Sequence, residues 1–462
     1  MSNSNSNSEL FISHAERTGS PKELFFIWFA GNIGILGVVY GALIVSYHLS
    51  FIQSLLVAAA GALSFALVGY LSLSGLKSGG TTFVLSRAVF GVKGNYIPNL
   101  LGWLSLIGWL AVNVITGTLT LMSLFGLFGM GQSAVLTVIS LALFVLLILT
   151  SNLFGQNVLV KVQTFFTYVF GALTFLILVI LIPQTDWTAL FRMSNGDWLN
   201  GFLPALSIII AGTGISWSIA AADYSAYQNP TNSGKKVFSS VTLGAFIPLF
   251  FMMGVGILLS TSVPDLVSAS NPIQAIGNAL PKWMTVIYFI TAVGGLIPQC
   301  IISLKSARVS METLNIKVSD KVAISIHALI MILIPVYVLF ISEDFLMNFQ
   351  LFLGILGIGL AAWAATFMFD YVLLRSKTGY DAGLLEYTTG KAFNYNGVTS
   401  WIIGVIVGFL FTNSSFFSGP FATGIFKDNS LGVLLAFAAS AVVTIILSQL
   451  NGKSKQGGVS HE

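Results

Sequence analysis

Residues 201–227 read GFLPALSIIIAGTGISWSIAAADYSAY, an apolar run long enough to cross a bilayer yet loosened at its centre by Gly212, Thr213 and Gly214. About 20 predominantly apolar residues make one crossing, and glycine at the middle of a helix costs roughly 1 kcal/mol relative to alanine. An opened turn also strands backbone N–H and C=O groups, which hydrocarbon tolerates only where the turn faces protein or a water-filled cavity. The stretch therefore predicts a discontinuous membrane helix with a small-molecule site at its break. Ser216 and Trp217 follow at about mid-depth, and Asp223 and Tyr224 come where the segment reaches water. A membrane tryptophan ordinarily anchors at the interface. Trp217 lies too near the middle for that, which leaves a site wall or core packing as its role.

Outward from this stretch the chain keeps the same character. Of its 462 residues 55% are hydrophobic and 8% charged, and mean hydropathy is +0.89, far from the composition of soluble domains. The sequence predicts an all-α polytopic membrane protein with twelve transmembrane helices, beginning near residues 25, 52, 97, 133, 158, 202, 237, 284, 321, 346, 398 and 430. Placing both termini in the cytoplasm puts seventeen of the twenty Lys and Arg inside and only Arg192, Lys282 and Lys427 outside, and basic residues in short loops set orientation. Residues 1–24 carry no signal-peptide pattern and are expected to be a disordered, retained cytoplasmic tail, with 451–462 as a second tail. Cys300 is the single cysteine and the four histidines are scattered, so no disulfide, metal or cofactor is expected. A small-molecule substrate and the lipid bilayer are the expected partners, with no nucleic acid.

The first span, FFIWFAGNIGILGVVYGALIVSY (25–47), carries Gly31, Asn32, Gly34 and Gly37 and is loosened in the same way as the sixth. Two such helices five spans apart suggest a repeat. Spans one to five (25–183) and six to ten (202–376) become halves of opposite orientation, because an odd number of helices per half inverts the second. Spans eleven and twelve (398–450) are additions to a single transporter domain (25–450). This is a five-plus-five inverted-repeat transporter fold with broken helices 1 and 6 and the site between them. Glycine also permits close packing of membrane helices, but the matched positions favour paired breaks. The segment GLKSGGTTFVLSRAVFGVKGNYIP (75–98) is too polar for a span and too apolar for a solvated linker, and is expected along the cytoplasmic surface, with Arg87 and Lys93 at the lipid headgroups as orienting charges, or as a gate contact.

Span three places Trp109 and Asn113 at i and i+4 on one helix face. A carboxamide without partners in hydrocarbon costs several kcal/mol, so both are expected to face the interior. Packed against the sixth span, Trp109 and Trp217 make a slot open to a flat ring, and Asn113 offers donor and acceptor to that ring's edge. Span eight carries Gly294, Gly295, Pro298 and Gln299 midway. Pro298 frees a carbonyl one turn earlier, and Gln299 is a packed amide or a third wall of the site. The middle thirds of the spans hold no Lys, Arg, Asp or Glu, which disfavours a charged substrate. Asp223, Lys305, Arg308 and Asp370 lie near cytoplasmic ends, where ion pairs and helix caps are ordinary.

With these residues in view, the chain resembles the nucleobase:cation symporter-1 family, in its purine-cytosine permease branch. The pieces that carry the resemblance are 79–98 followed by GWLAVN (108–113), SWSIAAADYSAY (216–227), FDYVLLR (369–375) with Tyr380 behind it, and FNYNGVTSWIIG (393–404). The resemblance implies a base held between broken helices 1 and 6 and helices 3 and 8. It makes Trp109 the aromatic that stacks on the base and Asn113 the amide beside it. It matches Trp217 to a tryptophan of fungal members and Asn32 to a small polar residue in the first break. Around Gly295, Ile297 and Pro298 the chain departs from the family pattern, lacking its asparagine and the hydroxyls of sodium-coupled members.

These residues predict a secondary active symporter that imports a neutral nucleobase, cytosine or a purine, across the plasma membrane. The candidate site is Trp109, Asn113, Trp217, Ser216, Asn32 and Gln299. A carrier for allantoin, a hydantoin or a thiamine pyrimidine precursor, or a channel or sensor on the same scaffold, remains an alternative. An enzyme is disfavoured, since no paired acids, metal motif or nucleotide loop lies at membrane depth. The missing hydroxyls favour a proton over sodium as the coupled cation, with Asp223, the acid on a broken helix, as its carrier and Ser303 or Thr291 as the sodium ligands otherwise.

Overall fold

Hydrocarbon obliges every crossing to satisfy its own backbone, and helices do so within one segment. The computed structural model of the chain describes residues 11–151, 156–261, 263, 272–316, 318–342, 345–414, 417–427 and 431–457. Among these, β structure is limited to isolated bridges. Nine helices among the described residues are long and apolar enough to span a bilayer, and a bent pair makes a tenth. Two shorter apolar helices, Ala134–Thr150 and Tyr395–Leu410, bring the set into line with the twelve expected spans.

The first span is two pieces, α1 (Pro21–Asn32) and α2 (Leu36–Val45), bent by 62°. Pro21 and a Ser20–Glu23 capping box start α1. At its end the Asn32 side chain donates to the Trp28 carbonyl (2.8 Å). The chain continues through α3 (Phe51–Leu63), α4 (Phe65–Ser78), α5 (Thr82–Phe90), α6 (Tyr96–Leu127), α7 (Ala134–Ser151) and α8 (Gln156–Gln184). The sixth span begins with α9 (Leu203–Ile210), widens into a π-type turn at Ala211–Ile215, and closes through α10 (Ser216–Ser218) and α11 (Ala221–Ser225). Then come α12 (Gly234–Leu259), α13 (Lys282–Thr313), α14 (Asp320–Tyr337), α15 (Phe345–Asp370), α16 (Tyr395–Leu410) and α17 (Gly432–Gly457). Helix α12 packs along both pieces of the first span, α6 packs on α13, and α15 packs on α16 and α17.

The sixth span is interrupted later than the sequence suggests. The backbone stays helical, though widened, through Gly212–Gly214 and breaks at Ile219–Ala220. The glycines answer to packing instead. A Cβ on Gly212 would lie 1.9 Å from the Tyr40 hydroxyl, and one on Gly214 would lie 2.2 Å from the Ser64 carbonyl. The Gly214 N–H is taken by the Ser64 hydroxyl (2.9 Å), so the widened turn is satisfied by a neighbouring helix.

The expected tails are also corrected in part. Residues 1–10 and 458–462 lie outside the described residues. Residues 11–20 form a strap, with the Ile12 N–H on the Gly79 carbonyl, the Gly19 N–H on the Tyr227 carbonyl (both 2.9 Å) and the Asn229 N–H on the Gly19 carbonyl (3.0 Å). Arg17, 5% exposed, donates to the Leu76 carbonyl near the end of α4. Helix ends leave carbonyls unpaired, and the strap supplies donors to them. Helix α17 continues to Gly457, through part of the expected second tail. The segment expected at the headgroups departs most. Every residue of α5 is buried, and Arg87, 4% exposed, donates to the Leu385 (3.0 Å) and Thr313 (2.9 Å) carbonyls. Lys93 is exposed.

Candidate functional site

The bend between α1 and α2 and the widened turn of the sixth span face each other across a small cavity. Its lining comes from Asn32 and Gly34 at the bend, Tyr40 on α2, Trp109 on α6, Trp217 on α10 and Gln299 on α13. The cavity measures 20 Å³, room for about one water. The Trp109 and Trp217 rings are nearly parallel, 20° apart in plane, with centroids 6.3 Å apart. Each is held by further rings. Trp28 meets Trp217 edge-on at 5.9 Å, and Phe349 and Phe352 meet Trp109 edge-on at 5.8 and 5.7 Å. A flat ring between two others needs about 7 Å, two carbon contact distances of roughly 3.5 Å. With centroids 6.3 Å apart and room for about one water between the walls, the slot is closed to a flat ring in this conformation.

Polar atoms at this level lack protein partners. Among the described residues, Trp109 Nε1, Tyr40 Oη and both amide atoms of Asn113 are buried with no hydrogen-bond partner. An unsatisfied buried donor or acceptor costs about 1–3 kcal/mol; others occur elsewhere among the described residues, at Asn99, Ser140 and Ser400 for example, but here they adjoin a ring pair. Several such atoms beside one aromatic slot are what a ligand with donors and acceptors on its edge would repay.

The sequence-predicted residues separate into groups. Trp109, Trp217, Asn32 and Gln299 share the cavity wall. Asn113 is fully buried one turn along α6 from Trp109 and is not part of the lining. Ser216 lies outside the lining, and its hydroxyl donates to the Ala211 carbonyl inside the widened turn. Asp223 is away from the slot. Its Oδ1 accepts the Thr82 N–H at the start of α5 (2.9 Å), while Thr82 Oγ1 accepts the Ala222 N–H (3.0 Å), a reciprocal cap joining α5 to α11. Lys305 lies over the Tyr224 and Tyr227 rings at 5.2 and 4.7 Å, and Asp370 pairs with Arg375 at 3.3 Å.

Tyr40 and Trp28 were not singled out from sequence. A phenol in the middle of the run LGVVYGALIV was a signal of the same kind as Asn113, since a hydroxyl at that depth needs a partner. Of the two hydroxyls weighed as sodium ligands, Thr291 donates to the Ile287 carbonyl (2.7 Å) in its own helix, and Ser303 Oγ is buried with no hydrogen-bond partner among the described residues. Between α1, α8 and α13, side chains from α8 reach backbone carbonyls: Gln163 donates to Pro298 and Thr167 to Phe26, each at 3.2 Å.

Comparison with known proteins adds a family to this geometry. The family described as permease for cytosine/purines, uracil, thiamine, allantoin matches over residues 11–457. A Bacillus subtilis protein provisionally named purine-cytosine permease YxlA is 26% identical, over 97% of this chain and 96% of its own. The Saccharomyces cerevisiae purine-cytosine permease FCY2 is 28% identical over 50% of this chain and 43% of its own length. Among solved structures, the nucleobase-cation-symport-1 family transporter Mhp1, closed with bromovinylhydantoin bound, superposes with a TM-score of 0.72 at 18% identity, over 96% of each chain. At that identity the likeness is one of fold.

Proposed function

The chain belongs to the family of permeases for cytosine/purines, uracil, thiamine and allantoin, the nucleobase:cation symporter-1 group, and on that premise we propose that it imports a neutral nucleobase, cytosine or a purine, together with a cation. The observation that carries this reading is the near-parallel Trp109–Trp217 pair with unpartnered polar atoms beside it. A base entering the slot parts the two rings to about 7 Å and stacks on both faces, each pair contributing about 0.5–1.5 kcal/mol beyond burial. Its edge then meets the Gln299 amide, the Asn32 side-chain oxygen and the Tyr40 hydroxyl, and parting the rings brings the Asn113 amide, one turn along α6, within its reach. Alternating access moves the loaded slot between the two sides by rocking one repeat against the other.

The family reading, with the basic residues as the sequence distributes them, supports a plasma-membrane carrier with both termini in the cytoplasm. For the coupled cation we favour the proton. The α13 stretch Gly294–Pro298 has carbonyls but no hydroxyl, whereas a hard cation replaces its water with oxygens. Asp223 lies on the broken sixth span, and its carboxylate is the proton-carrying group in this reading. Counterflow of labelled cytosine and hypoxanthine in proteoliposomes tests the proposal. Exchange of label without net current supports a carrier. Displacement by allantoin or a hydantoin at lower concentration than by either base overturns the substrate assignment.

A further inference from the structure

Behind the aromatic wall of the slot lies a second and much larger cavity of 440 Å³, between α6, α14 and α15. Its floor is Phe349 and Phe352, the two rings that meet Trp109 edge-on. Ala111 on α6, 2% exposed, forms its depth. Its mouth passes Leu104, Ile334 and Tyr337, which are 40%, 39% and 52% exposed on the flank of helices long and apolar enough to span a bilayer.

Water is a poor occupant. At roughly 30 Å³ per molecule the space corresponds to about fifteen waters, each seeking about three hydrogen bonds. The lining offers very few polar groups, and two are already engaged. Trp103 Nε1 donates to His327 Nε2 (3.2 Å), and Asn348 Nδ2 donates to the Ser342 hydroxyl (2.7 Å). An empty cleft would forfeit the dispersion contacts of all its walls. The cleft is continuous with the apolar flank of a membrane protein, where the surrounding solvent is hydrocarbon chain. A chain that enters leaves bulk lipid rather than water, so its gain is the dispersion contact with walls that would otherwise face a void.

We propose that this cleft is a lipid site that holds one acyl chain of a bilayer phospholipid. The chain enters between Leu104 and Ile334 and ends against Phe349 and Phe352. There it supports the rings that hold Trp109 in place, so the slot has the bilayer as its outermost layer. The site is independent of which base the slot accepts.

The test uses the full-length carrier in proteoliposomes containing a phosphatidylcholine with a photoactivatable diazirine near the end of one acyl chain, and maps labelled residues by mass spectrometry. Bulk lipid labels exposed positions such as Val135 and Val138, which are 68% and 54% exposed on α7. Ala111 and Phe349, 2% and 1% exposed, are reached only by a chain inside the cleft, and label on both is expected. Ala111→Phe fills the depth and should abolish label on Phe349 while leaving Val135 and Val138 labelled. Leu104→Trp narrows the mouth from an exposed position, and the same loss is expected if Ala111→Phe does not fold. No label at Ala111 and Phe349 in the wild type, or undiminished label at Phe349 in the folded variants, overturns the proposal.

Discussion

A buried polar atom without a partner is a cost that folding alone does not explain, and the slot gathers several of them. Asn113 is the clearest. Both of its amide atoms are buried and unpartnered among the described residues, so Asn113→Leu should leave expression intact while changing which base competes best for uptake. An identical competition profile would remove Asn113 from base reading. Tyr40→Phe deletes one hydroxyl and keeps the ring that packs against Phe349 at 5.6 Å. Losing one hydrogen bond of about 1 kcal/mol predicts roughly fivefold weaker binding of the preferred base, measured by calorimetry on purified protein. Trp109→Ala and Trp217→Ala each remove a stacking face together with its buried area. At 1.4 kcal/mol per factor of ten, affinity should fall by about tenfold or more, and wild-type affinity in both variants would rule out the slot. Trp109 and Asn113 were legible from their i, i+4 spacing in an uncharged span. Tyr40 carried a signal of its own, a phenol in an apolar run, but its place against Gly212 of another helix was not written in any local spacing.

At the scale of the element, α5 was misplaced from sequence for a definable reason. Nine residues containing one arginine, with a lysine just beyond, read as a surface helix, whereas the structure buries all nine. Arg87 serves as an internal joint, its guanidinium reaching two carbonyls and lying 4.2 Å over the Tyr387 ring. Burial lowers the affinity of this group for its proton from the ordinary value while Tyr387 opposes the shift, and an arginine remains charged under such conditions. A lysine has one charged nitrogen and cannot span both carbonyls. Arg87→Lys should therefore lower the thermal unfolding midpoint of the detergent-purified protein, by the equivalent of about 1–3 kcal/mol. A headgroup contact would tolerate the exchange, so an unchanged midpoint would return Arg87 to the membrane surface. The broken sixth span teaches the same lesson in reverse: its glycines were visible, but their close approach to Tyr40 and Ser64 was not.

At the scale of the whole molecule the coupled ion decides what drives transport. If the proton is the coupled ion, uptake should rise as external pH falls, collapse with a protonophore and ignore replacement of sodium by choline. Strict dependence on sodium at fixed pH would instead direct attention to the carbonyls of the first break and to Ser303. Asp223→Asn separates the two roles of that residue. The amide oxygen can still accept the Thr82 N–H, so the cap between α5 and α11 survives, but no titratable group remains. Uptake that loses its pH dependence while the protein stays folded supports Asp223 as proton carrier. An unaltered pH profile leaves it as a cap alone.

The class of protein, the approximate positions of its spans and the loosened first helix were determined by the sequence itself, because hydrocarbon imposes a length and an apolarity that each segment must meet locally. The aromatic character of the candidate slot was legible for a similar reason: tryptophans and amides at mid-depth in an otherwise uncharged span need an interior to face. Only the tertiary structure decided which of these residues meet. It brought Trp109 and Trp217 to 6.3 Å, turned the Ser216 hydroxyl onto its own backbone, spent Asp223 on the end of α5 and buried Arg87. Hydrogen-bond partners 141 and 226 residues apart in sequence are chosen by packing across helices, and no local spacing records that choice.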